Sequence, residues 1–478
     1  MTSFRAIVKL TFRNAVRSHI FQLLLFLLLL CVVLIPYTIT GDGTARGYIQ
    51  ISLLYSLSAV AFVLSLSSVW LGCFLMTRDV ESYQLHMVIT KPVSRITIWL
   101  GKWTGILLIH VILLFIASSM VYGIVLWKYS LQSFSDAEKL QIENEVMVGR
   151  RVFFPESPDI DQIVRDMLKD KMVAAMKSGA KIDTSPLEQE KLFKDIKREV
   201  LGRIAEVPAG TGREWLYKSL PVGSERPIYF RYRAYVNKVS SESQRLSRGW
   251  WGVRVAEPDA ENKKAENVFE KDKQGKQKYK YSFFPLTQAP EQIKAGTFLE
   301  KKLPPKVIDP NGEVMIGFEN YDPAGAALCF QKSDGPKLLI KYSGFTENYF
   351  RAVLVIFMQL VILSGLACAA ASVLSMPTAV FVVVSYLMFG SFATFLAGAS
   401  FMGGAADYVG YYVGKIILIA VIPMQNFEVT NLVANGELVE WAFIGQLFLT
   451  YFVLRALPMF LLGIWLYWRR EMGLVIRK

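Results

Sequence analysis

The chain has 478 residues, of which 53% are hydrophobic, and it carries 53 Lys and Arg residues against 40 Asp and Glu residues. This composition fits neither an ordinary soluble domain nor a disordered tail. Long uncharged runs occupy both ends, whereas most of the charge lies between about residues 128 and 345. The net charge of +13 is therefore explained by basic residues beside membrane spans, and nucleic-acid binding is disfavoured.

The N-terminal segment, residues 1–18, places Phe4, Ile7 and Val8 near one helical face, with basic residues interspersed. A helix of this kind suits the interface between membrane and water. We expect an elbow helix that leads into the first span. An ordinary basic flank is the alternative interpretation.

Six segments are long and apolar enough to cross a bilayer core of about 30 Å, which takes about 20 residues of helix. They are residues 20–39, 49–76, 104–126, 349–374, 377–399 and 441–468. The first segment is too long for a secretory signal and has no small-residue cleavage site, so we expect it to be retained. The predicted fold is an α-helical polytopic membrane protein with six transmembrane helices.

The orientation of the spans follows from Lys and Arg residues in their short flanks, which favour the cytoplasmic side. Three flanks are basic, with Arg5, Lys9, Arg13 and Arg17, then Arg78, Lys91, Arg95 and Lys102, then Arg469, Arg470, Arg477 and Lys478. The loop 40–48 carries only Asp42 and Arg46. We therefore expect both termini to be cytoplasmic, in the plasma (inner) membrane of a bacterium, with an archaeal membrane left open.

The charged middle, residues 127–347, is predicted to be an α+β extracytoplasmic domain between the third and fourth spans. Apolar residues recur at helical spacing within 133–206. From about residue 213 the period changes to two, which predicts an antiparallel β-sandwich over 213–347. The stretch 259–278 is rich in Lys, Glu and Gly, so we expect a mobile loop there.

The chain thus divides into residues 1–126, the extracytoplasmic domain and residues 348–478. The last part includes a segment, 400–440, that is apolar but interrupted by Gly403, Gly404, Gly410, Gly414, Lys415 and Pro423. Irregular backbone at membrane depth must be buried in protein or line a cavity. We expect a re-entrant pair of helices that enters from the outer face.

Residues that would carry chemistry are sparse. No Gly-x-x-x-x-Gly-Lys-Ser/Thr loop is present, and His19, His86 and His110 are scattered. Three of the four cysteines lie in apolar runs, which leaves no disulfide framework. We expect a chain that is no enzyme and binds no metal or cofactor itself, so that energy comes from a partner or a gradient.

Ionisable residues at membrane depth are functional candidates, because charge is expensive there. Arg455 lies about 21 Å from either end of the sixth span at 1.5 Å per residue. Lys415 lies in the re-entrant segment and His110 in the third span. No acidic residue lies inside a predicted span, which disfavours proton-driven transport. For Arg455, a role in translocation or gating and a structural pairing with a neighbouring helix both stay open.

The segment between the second and third spans carries the strongest family pattern. Asp79 and Glu81 are followed by Lys-Pro-Val-Ser-Arg at 91–95 and by the pair Gly101 and Lys102. This order resembles the first intracellular loop of ABC-2 type permeases. The basic ending after Trp468 looks like that of the family, and Pro423 to Glu437, with Phe427, is similar to its outer re-entrant region.

The resemblance covers residues 1–126 and 345–478, and within the family it is greatest to permeases associated with multicopper-enzyme maturation. It implies a type V ABC exporter-like fold, a second permease copy or homologous permease, and cytoplasmic ABC ATPase subunits that bind ATP and Mg. It assigns ATPase coupling to Asp79, Glu81, Tyr83, Leu85, Pro92, Arg95, Gly101 and Lys102. It leaves Arg455, Lys415, Pro423 and Phe427 as translocation or gate candidates.

The physics of the 79–90 segment agrees with a docking helix. Acidic residues at a helix start are favoured by the helix dipole, and Pro92 ends the helix. The apolar side chains between them would otherwise stay unburied. A helix that lies on the lipid interface is the alternative.

Three functions compete. ATP-driven export of lipid, glycan, peptide or drug cargo is the leading hypothesis. The size of the external domain motivates the second, a mechanotransmission or scaffolding protein that acts on periplasmic or envelope partners. The third is a membrane-anchored external enzyme, although no acid/base or nucleophile constellation is recognisable.

Overall fold

The computed structural model of the protein describes residues 2–38, 43–81, 93–131, 134–177, 186–223, 226–236, 246–257, 280–323, 325–332, 334–398, 413, 419 and 421–469. These residues form two compact units. The helical unit takes the described residues of Met1–Gly149, Ser343–Ala399 and Ala405–Lys478. The β-rich unit is built around Arg150–Tyr342.

Long helices make up most of the helical unit, and two further helices, α6 and α7, belong to the β-rich unit. The helices are α1 (Thr2–Val16), α2 (His19–Thr38), α3 (Ala45–Glu81), α4 (Arg95–Leu131), α5 (Asp136–Glu145), α6 (Ile160–Lys177), α7 (Pro186–Ala205), α8 (Phe345–Ala371), α9 (Met376–Gly398), α10 (Thr430–Ala434), α11 (Trp441–Leu447) and α12 (Leu457–Arg469). A π-helix, Phe448–Ala456, joins α11 to α12, and a short 3-10 helix covers Met424–Phe427.

Within the described residues, five helical segments are long and apolar enough to cross a membrane. They are Phe21–Thr38, Ala45–Arg78, Arg95–Leu131, Phe345–Ala371 and Trp441–Arg469. A shorter apolar segment, Met376–Gly390, lies within α9. The chain is therefore a multi-pass membrane protein, and the count of six spans stays a prediction.

Close backbone contact between α3 and α8 organises the helical unit. A Cβ placed on Gly72 of α3 would lie 2.6 Å from the Cβ of Ala367. A Cβ on Gly463 of α12 would lie 2.5 Å from the Cβ of Ala369. Helices in lipid have no hydrophobic force between them, so small residues allow the close packing that holds them together. Gly72 and Gly463 thus fix α3 and α12 against α8.

The β-rich unit contains β1 (Val148–Phe153), β2 (Glu206–Val207), β3 (Gly212–Tyr217), β4 (Ile228–Arg233), β5 (Tyr235–Val236), β6 (Leu246–Glu257), β7 (Lys280–Pro285), β8 (Glu291–Lys294), β9 (Phe298–Leu303), β10 (Val314–Asn320), β11 (Leu328–Cys329) and β12 (Lys337–Gly344). One sheet has the order β1-β12-β4-β9, and a second has the order β3-β10-β6-β7 with β8 paired to β6. A small third sheet has the order β2-β11-β5. The antiparallel pairing that the alternating pattern predicts is confirmed for the described ladders.

Trp251 of β6 lies at the centre of the core of the β-rich unit, where its side chain is completely buried. Its ring centroid is 4.7 Å from that of Phe230 on β4 and 4.6 Å from that of Phe318 on β10. Side chains of the two larger sheets therefore share one core. Trp215 is also buried, at 7% exposure, and its ring centroid lies 5.6 Å from that of Trp251, so both rings belong to this core.

A buried charge triad lies on the first sheet. The carboxylate of Glu300 accepts hydrogen bonds from Arg150 at 2.5 Å and from Arg231 at 2.7 Å. All three side chains are at most 5% exposed. Burial disfavours the charged form of Glu300, but the two guanidinium groups outweigh it and hold the pKa of this carboxyl below its ordinary value.

Strand β1 departs from the prediction that residues 133–206 are helical. Helices α5, α6 and α7 lie in that range, but Val148–Phe153 pairs with β12 instead. The reason is tertiary, because Arg150 is buried against Glu300 and a buried arginine leaves no alternating apolar pattern in β1. The predicted mobile loop, 259–278, lies outside the described residues, as does much of the segment 400–440.

Removing the charge of Glu300 tests the triad. In the full-length protein, Glu300→Gln removes the buried carboxylate that both guanidinium groups contact, which costs about 3–5 kcal/mol. The apparent Tm of the β-rich unit, followed by tryptophan fluorescence, falls by roughly 6–20 °C. The matched control is Glu214→Gln, at a half-exposed ion pair with Arg254. The control costs less than about 1 kcal/mol.

The pH dependence of the Tm distinguishes loss of the Glu300 charge from a general destabilisation of the fold. Because the folded-state pKa of Glu300 is lowered, its contribution is complete above the unfolded-state value of about 4.3 and is lost as the pH falls through the folded value. The Tm gap between wild type and Glu300→Gln therefore narrows below about pH 4.3. If the Tm difference between wild type and Glu300→Gln stays constant below about pH 4.3, the stabilising role assigned to the Glu300 charge is contradicted.

Candidate functional site

We call the end of the helical unit at which α3 ends and α4 begins the loop end. The structure corrects one expectation there. Asp79 and Glu81 were expected to open a short helix, but α3 continues through both of them. No Gly or Pro lies between Met76 and Glu81, so nothing ends the helix at Asp79. Residues 82–92, which include Tyr83, Leu85 and Pro92, lie outside the described part of the chain.

The other three predicted coupling residues, Arg95, Gly101 and Lys102, lie in the first turns of α4. Lys102 is only 3% exposed, and its ammonium group donates to the carbonyl oxygen of Leu75 in α3 at 2.9 Å. A buried ammonium in an apolar surrounding needs such an acceptor. Lys102 therefore joins α4 to α3 near the loop end.

Gly101 and Gly105 bring α1 against α4. A Cβ on Gly101 would lie 2.8 Å from Cγ2 of Ile7, and one on Gly105 would lie 2.8 Å from Cβ of Thr11. Carbon atoms do not approach so closely, so both positions require glycine at the present helix separation. The predicted elbow segment is thus a helix packed along the first turns of α4.

Arg95 joins the start of α4 to the end of α12. Its guanidinium group donates to the carbonyl oxygen of Trp468 at 2.7 Å. The last carbonyl groups of a helix have no partner within the helix and carry its negative dipole end. Arg95 therefore satisfies a helix terminus with an opposite charge.

Two tryptophans extend the contacts of α4 to α8 and α12. The indole nitrogens of Trp99 and Trp103 donate to the hydroxyl groups of Ser372 at 3.0 Å and Ser364 at 3.1 Å. The ring of Phe460 on α12 lies 5.4 Å from that of Trp103 and 6.5 Å from that of Trp99. The first three turns of α4 thus contact α1, α3, α8 and α12.

The described gate candidates lie on the π-helix and in the segment before α10. Arg455 donates to the carbonyl oxygen of Val421 at 2.6 Å, and its guanidinium carbon lies 5.2 Å from the ring centroid of Tyr451. The ring of Phe427, 1% exposed, lies 5.7 Å from that of Tyr451. Pro423 precedes the 3-10 helix that holds Phe427.

The structure thus brings Arg455 and Phe427 together around Tyr451, with Pro423 at the start of the 3-10 helix that carries Phe427, whereas Lys415 lies outside the described residues. The backbone of the π-helix is widened relative to an α-helix, a feature that often marks functional positions. Arg455 contacts a backbone carbonyl oxygen outside the described helices and an aromatic ring of its own π-helix, so pairing with a neighbouring helix stays a prediction. His110 is fully buried, and its Nδ1 lies 2.9 Å from the carbonyl oxygen of Ile106.

Two buried cations of the helical unit were not predicted as candidate residues from the sequence. Lys128, near the end of α4, donates to the carbonyl oxygen of Pro36 at 2.6 Å and lies 4.1 Å from the ring centroid of Tyr48. Arg351 lies inside the predicted span 349–374 and donates to the carbonyl oxygen of Val439 at 3.2 Å. A cation inside or beside an apolar run was the available indication for both residues.

Among the described residues, no group of three or more His, Cys, Asp or Glu side chains could hold a metal ion. Comparison of the chain with protein-family models, with curated proteins and with solved structures finds no match.

The contact between α1 and α4 can be tested by paired glycine substitutions on α4. Gly105→Leu overpacks Thr11 and costs about 1–3 kcal/mol, which lowers the apparent Tm measured by fluorescence-detected size-exclusion chromatography. The control is Gly123→Leu on the same helix, because a Cβ there meets nothing within 4 Å. Equal Tm values for the two variants contradict the assigned contact.

Proposed function

We propose that the chain is the membrane-spanning permease subunit of an ABC exporter of the ABC-2 type, resident in a bacterial inner membrane. It has six spans and cytoplasmic termini, its external domain is a β-sandwich with helical additions, and it pairs with a second permease copy or a homologous permease. Cytoplasmic ATPase subunits bind ATP and Mg and hydrolyse the ATP. The chain itself supplies no catalytic group.

The contacts at the loop end support this proposal best. The segment that resembles the family's coupling loop joins α3 to α4, and these two helices are tied by Lys102. A force applied to the segment enters both helices at once. Because packed helices shift as bodies rather than deform, that force spreads through the α4 contacts to α1, α8 and α12.

The continuation of α3 through Asp79 and Glu81 bears on how an ATPase would act on this chain. Both residues extend α3 beyond the apolar stretch that ends near Arg78. Their backbone is therefore continuous with a membrane-spanning helix. An ATPase that binds at Glu81 would act directly on α3, without a flexible joint between.

Charge reversal at Glu81 tests the function. The detergent-solubilised protein is co-purified with the ATPase encoded beside it, and ATPase activity is measured in the complex and in each component. Wild type gives a stable complex, and Glu81→Lys abolishes it. The control is Asp170→Lys, an exposed charge reversal in the β-rich unit, which leaves the complex intact. If no ATPase associates with the wild-type protein, the proposal is wrong.

A second candidate function, ATP-driven mechanotransmission through the external domain, has its own supporting observation. Strand β12 ends at Gly344 and α8 begins at Phe345, with no loop residue between them. Strand β1, by which the chain enters the β-rich unit, is the sheet neighbour of β12. We infer that a shift of that helix would reach the β-rich unit through this direct connection of the chain.

A linker insertion separates the two functions. Six Gly and Ser residues are inserted between Gly344 and Phe345, and the labelling rate of a Lys341→Cys reporter is followed with and without ATP in the reconstituted complex. Mechanotransmission predicts an ATP-dependent rate in the wild type that the linker removes. The same linker between Ser157 and Pro158, in an exposed coil, leaves the ATP effect intact. A rate that never responds to ATP favours export alone.

A further inference from the structure

An apolar groove runs between α4 and α8 on the surface of the helical unit, with a volume of about 450 Å³. This volume lies within the range of about 300–1,000 Å³ that is usual for sites of small molecules. The rims include Phe115 at 70% exposure and Phe350 at 65%. Both walls belong to helices that are apolar enough to span a membrane. The groove therefore opens toward lipid.

The length of the groove matches one leaflet. Its lining residues run from Val111 to Tyr122 on α4 and from Thr346 to Phe357 on α8. Either range extends about 16 Å at 1.5 Å per residue of helix. Half of a bilayer core of about 30 Å is about 15 Å. The groove is thus as long as the hydrocarbon depth of a single leaflet.

Polarity changes along the groove. Hydroxyl groups gather at the end where α4 finishes and α8 begins, where Tyr122 and Thr346 are hydrogen-bonded at 2.8 Å and Ser118 and Ser119 lie nearby. The other end is lined by aliphatic and aromatic side chains alone, among them Val111 and Phe357. A slot with hydroxyl groups at one end and only apolar side chains at the other has the polarity of a glycerolipid.

The walls at the hydroxyl end are held rigidly by aromatic contacts. The rings of Tyr122 and Phe345 stack at 5.7 Å with an interplanar angle of 10°. The hydroxyl group of Tyr349 donates to the carbonyl oxygen of Ser118 at 2.8 Å, which ties α8 to α4 across the base. The groove is therefore preformed, and an occupant does not have to open it.

We propose that this groove binds one acyl chain of a membrane phospholipid, with the ester region of the lipid at the hydroxyl end. The lipid belongs to the leaflet on the side where α4 ends and α8 begins. No charged side chain lines the groove among the described residues. The site therefore selects the acyl chain and the ester region, and it accepts anionic and zwitterionic headgroups alike.

A second copy of the chain fits the groove less well. A stable protein interface buries about 800 Å² per partner over a continuous patch. The groove is a narrow slot, whereas α9 presents a row of exposed apolar side chains, including Phe381, Phe389 and Phe392. Such a row offers the extended face that a helix partner needs, and the slot offers room for a chain of methylene groups.

Photolabelling of the full-length protein tests the site. The protein is reconstituted in nanodiscs that contain a phosphatidylcholine with a diazirine on one acyl chain, and labelled peptides are mapped by mass spectrometry. A parallel arm uses the phosphatidylglycerol analogue. We expect labelling to concentrate in residues 111–122 and 346–357 in both arms.

Filling the groove provides the matched comparison. Val111→Trp, and Val353→Trp from the opposite wall, reduce labelling about tenfold, because displacing a few buried methylene groups corresponds to at least that factor. Val382→Trp on α9 leaves labelling unchanged. Val111 and Val382 are 42% and 43% exposed, and Val382 does not line the groove. Each variant is first checked for an unchanged elution profile and apparent Tm.

Four outcomes contradict the proposal. Labelling spread evenly over α9 and the groove shows unselective lipid contact. Labelling that folded groove-filling variants retain shows that the chain lies elsewhere. Cross-links between two copies of residues 111–122, made with a photoreactive residue at Phe115, show that the groove is a protein interface. Labelling by phosphatidylglycerol alone contradicts the absence of headgroup selection.

Discussion

Cations bound to backbone carbonyl oxygens hold the helical unit together. Lys102 reaches Leu75, Lys128 reaches Pro36 and Arg95 reaches Trp468, each across a different pair of helices. Arg351 and Arg455 do the same toward the irregular segment between α9 and α11. A cation buried in an apolar surrounding needs such an acceptor, and a backbone carbonyl oxygen provides it.

This pattern has a consequence for how α4 works. Arg95 and Lys102 lie in its first turns and Lys128 in its last, so α4 is tied to neighbouring helices at both ends. A displacement at the loop end is therefore passed along a rigid helix rather than absorbed locally. The groove that we assign to a lipid lies between these two sets of ties.

The β-rich unit is stabilised by a different principle. Its two larger sheets share an aromatic core around Trp251, and one sheet buries the Arg150, Glu300 and Arg231 triad. A buried triad of this kind is weak evidence for stability in itself, because desolvation of the ions opposes their attraction. Removing one member is costly, however, and that cost keeps β1, β4 and β9 in one register.

Much of the fold follows from sequence periodicity. Uncharged runs predicted the long apolar helices, and the change to a period of two near residue 213 predicted the antiparallel strands such as β4 and β10. Contacts between residues that are distant in the chain could not be predicted from the sequence. Nothing local shows that Arg150 meets Glu300 or that Lys128 meets Pro36. For Arg95, Gly101 and Lys102, whose coupling role stays a prediction, the sequence did not indicate which helices they contact.

Photo-cross-linking is the most direct test of the proposal that the segment between α3 and α4 binds an ATPase. A photoreactive residue replaces Leu85 in one sample and Leu131, at the other end of α4, in another, and both are irradiated in membranes that contain the neighbouring ATPase. If the segment docks on the ATPase, we expect an ATPase adduct at position 85 and none at position 131. The adduct should contain the same ATPase that co-purifies with the protein. Adducts with lipid alone at position 85 would mean that this segment lies on the membrane surface, and the coupling assignment would be wrong.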